Sequence, residues 1–282
     1  MKNIQRLDEI LSSYDVVLCD VWGVIHNGEW AFPAASAALK RAREAGKCVV
    51  LVTNSPRPRA GVKVQMSALA VPDDCYDEIV TSGDATRDLI SEAPSKVFHI
   101  GSDRDFSIYD GTHAELVEER NAQVVVCTGL FDDEVEKPED YIELLQRLRA
   151  RNLPFICANP DIVVERGERM IYCAGAIARK YGLLGGLTLV AGKPHAPIYK
   201  LALKEAQALM GRPVDRSKVV AIGDGLLTDV KGAMNNGFDL LYISSGIHAK
   251  EYGVHGKPDE AQLIAWVQKN GIAPVATMPY LV

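Results

Sequence analysis

Reactive side chains follow four apolar runs of the sequence, close to the point where each run ends. The run VVLC (16–19) precedes Asp20, CVVLV (48–52) precedes Thr53-Asn54-Ser55, LTLV (187–190) precedes Lys193, and VVAI (219–222) precedes Asp224 and Asp229. In an open parallel sheet, ligands bind in the crevice outside the carboxyl ends of the strands. If the four runs are parallel strands, these side chains lie together at one edge of a sheet.

This combination of side chains suits phosphoryl transfer. An aspartate can act as a nucleophile and form an acyl phosphate, which divides one difficult displacement into two steps. A hydroxyl and backbone amides can hold phosphoryl oxygens, and Lys193 can neutralise charge in the transition state. Asp20 and Asp224 would repel each other and a phosphate dianion without a hard divalent cation, and their oxygen atoms suit Mg²⁺ better than zinc.

Each of these residues also has an ordinary structural interpretation when it is taken alone. An aspartate after a strand commonly forms a turn, and Gly-Asp-Gly is a frequent tight turn. A solvated surface charge is the usual role of a lysine such as Lys193. The occurrence of all four sets at equivalent strand ends is what favours a site.

The elements that must position these residues are visible as alternating apolar runs and helical segments. Further apolar runs are VFHI (97–100), VVVC (124–127), PFIC (154–157) and LLYI (240–243), and none alternates strictly with polar residues, which is typical of strands buried on both faces. Helices are predicted over 33–46, 137–151, 196–211 and 259–271 from their periodicity and their Pro, Gly and charged ends. Strands that alternate with helices predict an α/β fold with a mainly parallel sheet.

Composition narrows the class of protein and of partner. The chain has 282 residues, 48% of them hydrophobic, and a formal net charge of -6 with no basic run, which argues against nucleic acid and anionic membrane as partners. Its start resembles no signal peptide and no segment is long enough to span a membrane, so we expect a cytoplasmic protein that binds a small molecule. The six cysteines form no CxxC pair and are expected to be reduced core residues. The apolar tail 273–282 packs either on the core or at a subunit contact, and the second alternative would make a homodimer.

The four motifs resemble, in their order along the chain, those of the haloacid dehalogenase (HAD) superfamily of aspartate-nucleophile phosphohydrolases. They are CDVWGVIHNG, LVTNS, GKPHAPIY and IGDGLLTDVKGA. The stretches GVIHNG, TNS, FICANPD and GKPH resemble the class IIA branch in particular, which includes nucleotide, sugar-phosphate and pyridoxal-phosphate phosphatases.

The resemblance implies a Rossmann-like parallel sheet core with an inserted α/β cap domain. On this basis we expect residues 1–85 to form the first part of the core, 86–183 the cap, and 184–282 the second part of the core. A cap of this kind excludes water from the reaction and supplies specificity contacts.

The resemblance also implies a role for each motif residue in an Mg²⁺-dependent phosphatase of small phosphorylated metabolites. Asp20 would be the nucleophile and a metal ligand, and Asp224 the second carboxylate ligand, with Asp229 supporting the metal site. Thr53, Asn54 and Ser55 would form the phosphate-binding segment, and Lys193 would pair with Asp20 and phosphate. Trp22 would contribute its backbone carbonyl to the metal.

Trp22 departs from the pattern of the family, whose phosphatases usually carry a second Asp there as general acid and base. Indole can do neither task, and general acid–base catalysis typically contributes about 10² to 10⁴-fold. Three hypotheses stay open: His26 in the following turn replaces the missing group, the substrate has a leaving group or acceptor that does not need it, or the protein binds a phosphorylated metabolite or a protein partner without turnover.

Overall fold

The computed structural model describes residues 2–254 and 256–282, which form two compact units. The first unit contains the chain through Thr53, Val64–Val80 and Tyr199–Val282, and the second contains Asn54–Lys63 and Thr81–Ile198. The cap boundaries expected at 86 and 183 stay a prediction.

Strands and helices alternate along most of the chain. In chain order, the strands are β1 (Lys2–Asn3), β2 (Val16–Cys19), β3 (Cys48–Thr53), β4 (Glu78–Thr81), β5 (Lys96–Ile100), β6 (Glu115–Leu116), β7 (Val124–Cys127), β8 (Phe155–Cys157), β9 (Val163–Arg166), β10 (Arg169–Tyr172), β11 (Thr188–Val190), β12 (Val219–Gly223), β13 (Asp239–Ile243), β14 (Gly253–Val254), β15 (Lys257–Pro258) and β16 (Ala276–Met278). The α-helices are α1 (Asp8–Leu11), α2 (Pro33–Glu44), α3 (Arg59–Ala68), α4 (Ser82–Glu92), α5 (Ile142–Ala150), α6 (Ala174–Leu183), α7 (Ala196–Met210), α8 (Lys231–Asn236) and α9 (Glu260–Lys269).

The sheet of the first unit has the strand order β1-β16-β13-β12-β2-β3-β4. Strand β2 lies between β12 and β3 and is parallel to both, with Cys19 opposite Ile222 on one side and Leu51 on the other. Every residue of β2, β3 and β12 is buried. The strands predicted at 16–19, 48–52, 219–222 and 240–243 are confirmed, and their lack of polar alternation follows from burial on both faces.

The C-terminal tail belongs to this sheet. Strand β16 pairs in parallel with β13 and with β1, and Leu281 beyond it is buried. Of the two alternatives for the tail, packing on the core is therefore the one observed. Strands β1, β4 and β16 were not predicted, because each is short and contains polar residues, so none forms a continuous apolar run like VVLC.

The second unit contains a five-stranded parallel sheet in the order β11-β8-β7-β5-β6. The strands predicted at 97–100, 124–127, 154–157 and 187–190 are confirmed to within one residue at either end. On one face of the sheet, Phe155 and Tyr181 stack with ring centroids 5.1 Å apart inside an apolar cluster. Strands β9 and β10 form a separate antiparallel hairpin.

The predicted helices are confirmed with one difference. Helix α2 begins at Pro33, α7 spans Ala196–Met210, and Asp259 caps α9 by accepting the Gln262 N–H. The segment predicted as one helix over 137–151 starts with a 3₁₀ turn, Pro138–Tyr141, before α5. The cysteines are all buried and free. In the described part of the chain, no helix is both long and apolar enough to cross a membrane.

Candidate active site

Three aspartates of the first unit form a buried acidic cluster at the carboxyl ends of neighbouring strands. Asp20 follows β2, Asp224 follows β12, and Asp229 lies in a π-helical turn, Leu226–Val230, that leads into α8. One carboxylate oxygen of each lies within 4.8 Å of those of the other two. The exposed fractions of the three residues are only 7%, 6% and 5%. The structure thus brings together the three acids that their positions after strands had marked as candidates.

Backbone amides fix the orientation of each carboxylate in the cluster. Asp20 Oδ1 accepts the Val21 N–H at 2.7 Å, Asp224 Oδ2 accepts the Ile247 N–H at 2.8 Å, and Asp229 Oδ2 accepts the Gly225 N–H at 3.1 Å. These contacts set the direction in which each of the three carboxyl groups points.

Two glycines allow the backbone to close around Asp224. A Cβ atom on Gly246 would lie 1.9 Å from Asp224 Oδ2, and one on Gly23 would lie 2.7 Å from the same oxygen. Gly23 also has φ +87°, a conformation that side-chain-bearing residues rarely adopt. Any larger residue at position 246 would displace the carboxylate.

The acidic cluster fits a hard divalent cation. Three carboxylates this close together and this deeply buried repel one another strongly in a medium of low dielectric constant. Oxygen-only ligands are those that Mg²⁺ and Ca²⁺ prefer, whereas zinc sites usually contain Cys or His. Asp20, Asp224 and Asp229 are the residues of the first unit that would hold such an ion.

Trp22 and His26 pack against each other in the turn after β2. Their rings meet edge to face with centroids 5.1 Å apart, and His26 Nδ1 accepts the Gly28 N–H at 3.1 Å. Only 2% of His26 is exposed, and this burial lowers its pKa from 6.5 to about 4. His26 is therefore neutral at neutral pH, with its proton on Nε2.

Thr53 ends β3, the strand next to β2, and is buried at the same edge of the sheet as Asp20. Asn54, Ser55 and Lys193 belong to the second unit. There Asn54 Oδ1 accepts the Lys193 N–H at 2.7 Å, and both residues are buried. The structure thus places Asn54 against Lys193, although 139 residues separate them in the chain.

The segment after β13 supports the acidic cluster and was missed in the sequence. Besides Gly246 and Ile247, it contains His248, whose Nε2 accepts the Leu226 N–H at 3.2 Å and whose ring lies 5.2 Å from that of Trp266. The stretch SSGIH directly after LLYI was the available signal, since it follows a strand of the same sheet.

Comparison with known proteins finds similar families and a similar phosphatase. Models of two families, haloacid dehalogenase-like hydrolase and HAD-hydrolase-like, match residues 17–115 and 190–274. An acid sugar phosphatase from Staphylococcus aureus is 28% identical over 248 residues, which are 86% of this chain and 90% of that protein.

Two crystal structures show how far the similarity extends. A hydrolase of the haloacid dehalogenase-like family from Brucella suis 1330 is 59% identical with a TM-score of 0.90, over 99% of this chain and 100% of that one. A possible sugar phosphatase of the HAD superfamily from Cytophaga hutchinsonii has a TM-score of 0.79 and 18% identity, over 99% and 98% of the two chains. The chain belongs to the haloacid dehalogenase-like family of hydrolases, the family that its four motifs resemble.

Proposed function

We propose that the protein is an Mg²⁺-dependent phosphatase of a small phosphorylated metabolite, such as a sugar phosphate or a nucleotide. The observation that carries this proposal is the buried cluster of Asp20, Asp224 and Asp229, whose carboxylate oxygens lie within 4.8 Å of one another. A buried triad of like charges is costly for a fold unless it binds a cation. The acid sugar phosphatase from Staphylococcus aureus, which is similar over most of the chain, supports the same class of reaction.

Asp20 is the nucleophile in this proposal. One of its carboxylate oxygens attacks phosphorus, the bond from phosphorus to the leaving oxygen breaks, and an aspartyl phosphate forms. Water then attacks this phosphorus, which releases inorganic phosphate and restores the carboxylate. The Val21 N–H on Oδ1 holds the plane of the carboxyl group while this happens.

The other motif residues bind charge. Asp224, Asp229 and the Trp22 carbonyl would hold Mg²⁺ together with Asp20, and the bound ion would neutralise the phosphoryl oxygens. Thr53, the backbone of Asn54 and Ser55 are proposed to donate hydrogen bonds to phosphate, and Lys193 to offset its negative charge.

Protonation of the leaving group is the step that lacks its usual donor, because Trp22 stands where an Asp is expected. His26 stays the proposed replacement, with the Nε2–H as its donor. Its burial and its low pKa keep the imidazolium form scarce near neutral pH. The proposal therefore predicts slow turnover of poor leaving groups and faster turnover of nitrophenyl phosphate, whose leaving group needs no proton.

The Trp22–His26 pair also favours a second candidate function, binding of a phosphorylated metabolite without turnover. Position 22 carries an indole and position 26 a buried imidazole, so neither of these two packed side chains is a carboxylate. The two candidates differ in one measurable quantity, the release of phosphate.

The test is phosphate release from a panel of sugar phosphates, nucleotides, pyridoxal phosphate and nitrophenyl phosphate, with Mg²⁺ and with EDTA. Asp20→Asn is the matched control, because it keeps the size of the side chain and an oxygen for the Val21 N–H. We expect release that needs both Mg²⁺ and Asp20. Equal inertness of wild type and Asp20→Asn, with a rise in melting temperature from one compound, would instead establish the binding function.

The role of His26 has its own test. His26→Asn keeps an acceptor for the Gly28 N–H and removes the ring proton. We expect it to slow the hydrolysis of sugar phosphates more than that of nitrophenyl phosphate. If both rates and their pH profiles stay the same, His26 carries no proton in the reaction.

A further inference from the structure

The side chain of Asn54 is bound on both of its polar atoms inside the second unit. Its Oδ1 accepts the Lys193 N–H at 2.7 Å, and its Nδ2 donates to Asp161 Oδ1 at 2.8 Å and to the Lys193 carbonyl at 3.4 Å. A backbone N–H can only donate and a carboxylate only accept, so these contacts fix which way the amide points. Asn54 therefore joins Asp161 to the backbone of Lys193.

Two glycines allow close packing around this contact. A Cβ atom on Gly192 would lie 2.8 Å from Asn54 Oδ1 and 2.9 Å from Pro160 Cδ. One on Gly175 would lie 2.2 Å from the Pro160 carbonyl oxygen and 2.4 Å from that of Asp161. The segments around 54 and 160 can approach Gly192 this closely only because it has no Cβ atom. The same holds for the segment around 160 where it meets Gly175.

The orientation of Asp161 is itself set by the end of β8. Asn159 Oδ1 accepts the Asp161 N–H at 3.1 Å, and Cys157, the last residue of β8, donates its S–H to the Asn159 carbonyl at 3.3 Å. Cys157 is directly opposite Cys127 of β7 in the five-stranded sheet. A continuous series of contacts thus runs from β8 through Asp161 and Asn54 to Lys193.

We propose that Asp161 is a positioning residue for Lys193. Its carboxylate holds the Asn54 amide in one orientation, and that amide in turn holds the backbone from which the Lys193 side chain extends. The charge-assisted hydrogen bond between Asp161 and Asn54 is of the stronger type. This inference rests on the proposed function, in which Lys193 offsets phosphate charge, because small displacements of such a group reduce the rate steeply.

A donor–acceptor exchange tests the contact most sharply. Asn54→Asp keeps an acceptor for the Lys193 N–H but places a carboxylate against that of Asp161. Asp161→Asn keeps an acceptor for the Asn54 amide. The double variant exchanges donor and acceptor, so that the amide at 161 can donate to the carboxylate at 54.

In the phosphatase assay we expect Asp161→Ala to lower kcat about 10-fold, equivalent to about 1.4 kcal/mol, with KM changed less than about twofold. Asp161→Asn should stay within about threefold of wild type, since it retains the acceptor. Asn54→Asp should lose more than Asp161→Ala, and the double variant should recover at least about fivefold relative to Asn54→Asp. A double variant no better than Asn54→Asp would overturn the proposal.

Two readouts are independent of activity. We expect hydrogen exchange of the peptide that contains Lys193 to accelerate in Asn54→Asp and in Asp161→Ala and to return toward wild type in the double variant, and the melting temperatures of the four-protein cycle to show the same coupling. If wild type releases no phosphate from any compound, the proposed function fails, while exchange and melting temperature still decide whether Asp161 fixes Lys193. If hydrogen exchange of the Lys193 peptide is unchanged in both Asn54→Asp and Asp161→Ala, the contact is refuted. This readout does not need activity, so it also applies to a variant that is too unstable for the phosphatase assay.

Discussion

Protonation of His26 opposes folding, and this makes the stability of the protein depend on pH. The imidazole is 2% exposed, its Nδ1 accepts the Gly28 N–H, and its ring meets that of Trp22 edge to face. Burial lowers its pKa from 6.5 to about 4. Protonation of the buried ring would create an imidazolium cation that water cannot solvate, and this costs free energy.

The sign of the effect follows from proton binding. Between about pH 6.5 and pH 4 the unfolded chain holds a proton on His26 and the folded chain does not. The free energy of unfolding therefore falls as the pH falls through this window. From the two pKa values, the loss due to His26 is about 2 kcal/mol near pH 5 and about 3 kcal/mol once the pH is well below 4.

The assay is urea unfolding, followed by tryptophan fluorescence, near pH 7.5 and near pH 5 in EDTA. His99, His195 and His248 also have pKa values lowered by burial, so only the difference between wild type and His26→Asn isolates this residue. Wild type should lose about 2 kcal/mol more than His26→Asn between the two pH values. His113→Asn, at an exposed position, serves as the matched control. If wild type and His26→Asn lose equal stability, His26 is not buried as a neutral ring.

Three further outcomes follow from the acidic cluster and its surroundings. On the proposed function, Mg²⁺ should raise the melting temperature of wild type and Asp224→Asn should remove most of that rise; an undiminished rise would place the cation elsewhere. Gly246→Ala should destabilise the protein by about 1–3 kcal/mol and weaken Mg²⁺ binding, because its Cβ would lie 1.9 Å from Asp224 Oδ2; Gly182→Ala, at an open helical position, should leave stability unchanged or raise it by up to about 1 kcal/mol. Trp22→Asp should raise kcat for sugar phosphates at least about 10-fold if proton transfer limits the rate, and no gain with any substrate would contradict that assignment.

Strong local patterns made much of the fold predictable. Runs such as VVLC and CVVLV are buried on both faces, so their composition alone marks them as central parallel strands. Pro33 and Asp259 mark helix starts by their effect on nearby backbone groups, and the structure places helices there. Short elements such as β16 and the 3₁₀ turn at Pro138 escaped prediction because neighbouring chain segments stabilise them more than their own residues do.

The convergence of Asp20 and Asp224 could be inferred without coordinates, since parallel strands end at a common edge and the residues after them must meet. The surroundings of these acids could not. The Gly246 approach to Asp224, the Asn54 amide on Lys193 and the burial of His26 against Trp22 each depend on how distant or irregular segments pack. Side-chain periodicity reports only on local conformation, whereas contacts between residues far apart in the chain are selected by close packing and by the need to pair every buried polar group.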